Sequence, residues 1–263
     1  MALNIEPRNY TLGRGRVYFG RFADGETVAS EFRYVGNTPE FNLTIESEEL
    51  DHFSSDAGVR EKDDSVALEV NRTGTMTCDD IQAENLALFF FGTTEVLATA
   101  AAVGQSENFD DVTPGASYQI GVTATNPVGI MGLDNVVVTS NPIGTTYAAG
   151  TDYTIDEENG LLTILTSGNI PANGDIIVNY DVRSSTRTRI LSGSTAVQGA
   201  LMFVQENPTG LDRKYTLTQV KITPNGDLAL KGDEWQQIPF SFEALKPGDG
   251  REAIYLDGTP AFA

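Results

Sequence analysis

The chain is 263 residues long and carries 37 Asp and Glu against 17 Lys and Arg, a formal charge of −20 with a pI near 4.2. That balance argues against a grip on nucleic acid, because affinity for phosphate comes from Lys and Arg displacing counterions. The single cysteine, Cys78, excludes an intrachain disulfide and leaves a zinc cluster almost nothing to use; its expected state is a small buried thiol. No run approaches the roughly 18 apolar residues that span a bilayer, and Met1 to Tyr10 lacks the basic-then-apolar order of a secretory signal, so cytoplasmic synthesis and no membrane partner are expected.

Abundant Gly, Thr-rich runs and little helical periodicity predict a mainly β protein. A Gly-flanked aromatic strand, Arg16 to Phe22, comes first, then a second strand ending in Tyr34-Val35-Gly36-Asn37. Pro39 to Glu48 alternates with a period of two: Phe41, Leu43 and Ile45 lie on one face, and Glu40, Asn42, Thr44, Glu46 and Glu48 on the other. That is the pattern of a half-buried antiparallel strand. Ser65 to Thr77 repeats it, with Val66, Leu68, Val70 and Met76 against Ala67, Glu69, Asn71, Thr73, Thr75 and Thr77. The two strands are expected to pair across a loop, Glu49 to Asp64; the Glu46 to Asp64 segment holds eight acidic residues and two basic ones, Arg60 and Lys62.

A helix is expected from Ile81 to Phe91, capped by Asp79 or Asp80 and ended by Gly92 in the left-handed conformation. After Val96 to Phe109, Gly, Asn, Pro and Thr punctuate short β runs: Tyr118 to Thr123, Asn135 to Thr139, Asp152 to Ile155, Leu161 to Leu165 and Asp175 to Val182, with Glu157-Glu158-Asn159-Gly160 as a hairpin turn. These outline a small β-sandwich inserted at 110–189. Strand-sized runs then resume at Val197 to Gln205, Lys214 to Thr223, Leu228 to Lys231 after the turn Pro224-Asn225-Gly226-Asp227, and Trp235 to Leu245. Residues 1–109 and 190–263 are therefore expected to form one core domain.

Three places in this order carry a likeness: the strand start Gly36-Asn37-Thr38-Pro39-Glu40-Phe41, the Ser54-Ser55 loop closing on Glu61-Lys62-Asp63, and the helix with Asn85 and Phe89-Phe90-Phe91. Together they resemble the siphophage major tail tube protein family. The resemblance implies a structural virion protein and not an enzyme, with a tail-tube fold of packed antiparallel sheets, one flanking helix and the inserted sandwich on the outside. Subunits of that family form rings, usually hexameric, in which four strands each close a continuous barrel, and the rings stack into the tube through which DNA passes into the host. A barrel of roughly 24 strands exceeds the 16–18 that already leave an aqueous channel.

The same resemblance implies other copies of the chain as partners, a tape measure protein and a tail terminator, DNA as a transient passenger, no cofactor, and a place in the virion tail after assembly in the host cytoplasm. It assigns Glu40, Asn42, Thr44, Glu46, Glu69, Asn71 and Thr73 to the lumen, where an acidic wall would not hold a polyanion. It assigns Glu49, Asp51, His52, Phe53, Ser54, Ser55, Asp56, Arg60 and Lys62 to the loop that reaches the neighbouring ring.

The catalytic inventory is thin. His52 is the only histidine and sits in a polar segment without a Gly-x-Ser-x-Gly nucleophile turn. The paired carboxylates, such as Asp63-Asp64 and Glu157-Glu158, are adjacent residues, which on a strand would point to opposite faces, and they read as solvated loop charge. Asp156 to Gly160 lacks the alternating ligands of a calcium loop. A carbohydrate-binding or adhesive β-sandwich is the alternative; it would employ Tyr118, Tyr147 and Tyr153, but wants a surface Trp, and Trp235 is expected inside a core strand.

Overall fold

The computed structural model describes residues 10–56 and 58–258. Its elements run in the order β1 (Gly15–Arg21), β2 (Arg33–Tyr34), β3 (Glu40–Ser54), β4 (Glu61–Cys78), α1 (Ala83–Phe89), β5 (Thr93–Thr99), β6 (Ala102–Val112), β7 (Ser117–Gln119), β8 (Leu133–Ser140), β9 (Tyr153–Asp156), β10 (Leu161–Ile164), β11 (Gly174–Val182), β12 (Ser185–Leu191), β13 (Val197–Gln205), β14 (Arg213–Pro224), β15 (Ile238–Ala244) and β16 (Ile254–Gly258). The protein is mainly β, with one short helix among the described residues. Residues up to Glu95 together with those from Ile190 onward form one compact unit, and Val96–Arg189 form a second. Of the leader reading at Met1 to Tyr10, all but Tyr10 lies outside the described residues.

The first unit is built on one antiparallel sheet of order β2-β1-β13-β14-β15-β4-β3, with β16 added to β14. Period-two alternation turns Val17, Phe19, Leu201, Leu217, Ile222, Phe240, Phe242 and Met76 into a single core. Each fully buried Phe or Met side chain there contributes about 1.5–3 kcal/mol relative to exposure. The helix joins this core through Leu88, with Leu86 and Phe89 packed on its margin.

That helix is shorter than the sequence predicts. It begins after Gln82, and neither Asp79 nor Asp80 supplies a side-chain cap; Asn37 instead donates its amide to Asp79 at 2.6 Å, and Gln82 donates to Asp80 at 2.7 Å. At the other end the left-handed residue is Phe91, φ 52°, and not Gly92. Phe91 N–H donates to Leu88 O and Gly92 N–H to Ala87 O, a Schellman closure. Gly92 is required for a different reason: a Cβ there would collide with the Leu191 carbonyl.

Asn85 is fully buried and ties the helix to the sheet, donating to the carbonyls of Val35 at 2.7 Å and Asp80 at 2.9 Å and accepting from Arg33 Nη2 at 2.6 Å. A buried amide satisfied in this way avoids the desolvation cost of an orphaned polar group. Burial pushes the Arg33 guanidinium pKa down.

The second unit has its own core. Two three-stranded antiparallel sheets, β7-β10-β9 and β6-β11-β8, bury Val112, Ile120, Leu133, Leu162, Ile164, Ile176 and Val178. The β9–β10 turn is the expected one, with Gly160 at φ 71°. Segment β6 runs across Asp110 and was not legible as a strand. A two-stranded sheet is formed by β5 and β12.

Two expectations in the first unit fail. Leu228 to Lys231 is not a strand, and Trp235 is not in a core strand: both lie in the long connection between β14 and β15, and Trp235 is 93 % exposed. The alternation that places Ile238, Phe240 and Phe242 inward begins only at Ile238.

Candidate functional site

Pairing across the sheet gathers the polar halves of four strands into one face. Glu40 lies opposite Thr77, Asn42 opposite Thr75, Thr44 opposite Thr73, Glu46 opposite Asn71 and Glu48 opposite Glu69. The rows continue onto β15, where Ser241 faces Thr75 and Glu243 faces Thr73, and onto β14, where Thr223 faces Ser241 and Lys221 faces Glu243. At the base of the hairpin the reverse face of the same strands is core, with Phe41, Met76, Phe240, Phe242 and Ile222. All seven residues assigned to a lumen, Glu40, Asn42, Thr44, Glu46, Glu69, Asn71 and Thr73, share this polar face and are exposed. Lys221, Thr223, Ser241 and Glu243 complete it; nothing local in the sequence links them to β3 and β4.

The segment Glu49 to Asp64 is not the loop expected from its acidity. β3 continues to Ser54 and β4 begins at Glu61, so Glu49, Asp51, His52, Phe53 and Ser54 are strand residues of β3 and Lys62 of β4, while Ser55, Asp56 and Arg60 remain in the connecting turn. The pairing survives because the register slips at two bulges, Glu48/Glu49 and His52/Phe53, which place Leu50 opposite Val66 and Phe53 opposite Lys62. A straight reading of alternation loses its phase at such bulges, which explains why the composition looked like a loop.

Local ionic pairs line the far part of this hairpin. Lys62 Nζ lies 2.6 Å from Asp51 and His52 Nδ1 lies 2.5 Å from Asp63. Ser65 Oγ lies 2.8 Å from Glu49 and 2.9 Å from Asp51, and the Arg60 guanidinium sits 5.2 Å from the Phe53 ring centroid. The hydrogen bonds from Lys62 and then Ser65 hold the Asp51 carboxyl below the usual carboxylate range. The charged partners are exposed, so solvent screens these pairs and they add little to stability.

β15 accompanies β4 only from Cys78 back to Thr73. Beyond that point Ile45–Ser54 and Glu61–Arg72 form a two-stranded ribbon, with no third strand on it among the described residues. Ile45, Leu50, Val66, Leu68 and Val70 are exposed on it. At the base, by contrast, Phe41 stacks on Phe242 and meets Phe203 at a tilt, each at 5.3 Å between centroids. His52, the only histidine, is thus an exposed ribbon residue whose partner is a carboxylate.

A family model for a protein of unknown function, UCP028589, matches residues 10–249. A search of the curated proteins finds no match.

Proposed function

We propose that this chain, which belongs to that family, is the repeating subunit of a phage tail tube, polymerising as stacked rings around a channel that passes DNA. The observation that carries this reading is the ribbon. A two-stranded hairpin is marginally stable alone in water, and three strands or a packed face are normally needed. A ribbon of roughly twenty residues with uncovered apolar side chains matches one side of a standard protein interface, about 20–30 residues, and a repeating head-to-tail contact between copies grows into an open filament.

The polar face supports the second half of the reading. Four strands per subunit present Ser, Thr, Asn and Glu with a single Lys221 among the residues named above, a surface that hydrates well and holds phosphate poorly. In this reading the tail-tube fold is the first unit, the second unit is an outer domain inserted into it, rings are hexameric, and the tape measure and terminator proteins are the tube's other partners. The carbohydrate-binding alternative gains the surface Trp it wants in Trp235 but loses its tyrosines: Tyr147 and Tyr153 are buried in the second core, and Tyr118 packs edge-on against Phe109.

Negative-stain microscopy of the purified chain, beside a variant in which residues 49–64 are replaced by a tight Asn-Gly hairpin, tests the proposal. Residues 49–64 are the outer part of a two-stranded ribbon that no third strand covers among the described residues and that adds no residue to the buried core, so the variant should keep its fold by circular dichroism while tubes vanish. Tubes of ordinary length from the shortened chain would remove the ribbon from the contact.

A further inference from the structure

The sequence holds three Asn-Gly pairs, Asn159-Gly160, Asn173-Gly174 and Asn225-Gly226, each at the end of a strand. In such a pair the side chain can react with its own backbone, because glycine, having no Cβ, lets its amide nitrogen approach the carbonyl carbon of the preceding side chain. In a folded chain the reaction needs that nitrogen unengaged. An N–H that donates to a carbonyl must first give up the bond.

Two of the three pairs are closed in this way. Gly160 N–H donates to Asp156 O at 2.7 Å, and Asn159 is held as well, its N–H and its side-chain amide donating to the Asp156 carboxylate at 3.0 and 2.7 Å. Gly174 N–H donates to Pro171 O at 3.1 Å, and Asn173 N–H to Val112 O at 2.9 Å. The third pair is open. Asn225 N–H donates to Pro239 O at 3.0 Å, which pins the start of the β14–β15 connection, but neither Gly226 N–H nor the Asn225 side chain has a hydrogen-bond partner among the described residues. Both residues are exposed. Gly226 takes φ 102°, and beyond its chain neighbours the nearest atom to a Cβ placed there would be Pro239 Cγ at 3.8 Å, so water reaches the pair freely.

We propose that Asn225 is a site of spontaneous modification, where the chain converts itself to aspartate and isoaspartate with water as the co-reactant. The Gly226 nitrogen gives its proton to solvent and bonds to Asn225 Cγ; the bond from Cγ to the side-chain nitrogen breaks, and that nitrogen takes up a proton and leaves as ammonia. Water then opens the cyclic imide. Attack at Cγ yields aspartate, and attack at the main-chain carbonyl yields isoaspartate, in which the backbone runs through the side chain. Nothing is oxidised or reduced. Either product adds a negative charge beside Asp227, which lines one groove with Trp235, Thr77 and Pro239, and isoaspartate also lengthens the main chain between β14 and β15 by one carbon. Old and new copies of the chain then differ at the surface around Trp235, whether or not the chain builds tubes.

Trypsin cuts after Lys221 and Lys231, which isolates Asn225 on the 222–231 peptide, whereas Asn159 and Asn173 fall together on the 73–183 peptide. The intact protein is aged in mildly alkaline buffer, digested briefly beside an unaged sample, and mapped by mass spectrometry. The 222–231 peptide should pass to its aspartate and isoaspartate forms about tenfold faster, or more, than the 73–183 peptide loses ammonia. In guanidinium chloride, where the turns are gone, the rates should converge. Asn225→Gln, whose longer side chain closes the ring far more slowly, should leave the 222–231 peptide unchanged on ageing. A 222–231 peptide that stays intact in the native protein while it converts in denaturant, or native ageing of the 73–183 peptide at the same rate, would overturn the proposal. So would an order that persists in denaturant, because its cause would then lie in the local sequence and not in the unengaged Gly226 N–H.

Discussion

Gly74 shows how narrowly the base of the hairpin is built. It lies opposite Leu43 on one side and Phe242 on the other, and a Cβ would run into the Phe242 ring and the Asn42 carbonyl. Gly74→Ala should therefore destabilise the first unit by about 1–3 kcal/mol through overpacking, seen as a lower midpoint in denaturant with an unchanged slope; an unchanged midpoint would mean that β3 yields freely. Further along β4, Cys78 is fully buried, and burial pushes its thiol up to about 12. The native protein should resist alkylation at neutral pH and react only once unfolded. Since the folded thiol holds its proton more tightly than the ordinary 9.0, its contribution to stability is complete below pH 9.0 and is lost as pH rises from there towards about 12. Replacing Cys78 by Ala should flatten that part of the pH–stability curve.

At the scale of the element, the hairpin β3–β4 joins two chemistries: a polar face at its base that continues over β15 and β14, and a ribbon beyond it. Glu46→Lys with Glu69→Lys places two cations on that face beside Asn71 and Glu48. Under the tube proposal, assembly should persist but release of DNA from particles should slow, and most at low salt, because the Debye length is about 10 Å at 0.1 M and shrinks as salt is added. Ejection at the wild-type rate in low salt would take these residues off the channel wall. The period-two pattern made β3, β4 and the core of β15 readable in the sequence, and Val197 to Gln205 was readable to its last residue. What escaped reading had specific causes. Two bulges hid the outer ribbon, a Schellman closure with Phe91 in place of Gly moved the end of the helix, and the long β14–β15 connection let Trp235 pass for a strand residue when only tertiary pairing starts the strand at Ile238. Cross-strand neighbours such as Lys221 and Glu243 could not be joined to Thr73 without the register.

At the scale of the molecule, two separate hydrophobic cores predict two separable stabilities. Val96–Arg189 expressed alone should fold cooperatively, with the strand content of its two three-stranded sheets; a chain that remains unfolded would show that its core needs the rest of the protein. Excising the same segment, with Glu95 joined to Ile190 through a short Gly-Ser linker, should leave a soluble first unit that still assembles into thinner tubes. Loss of tubes from a folded remainder would make the second unit part of ring closure.

The chain departs for the second unit along β5 and comes back along β12, and these two strands are bonded to each other. A graft made there would meet two splice points already side by side, so any foreign domain whose termini lie close together could be exchanged for residues 96–189. The stem then amounts to a socket for exchangeable cargo, through which related chains could trade modules by recombination while the large sheet and its ribbon stay the same.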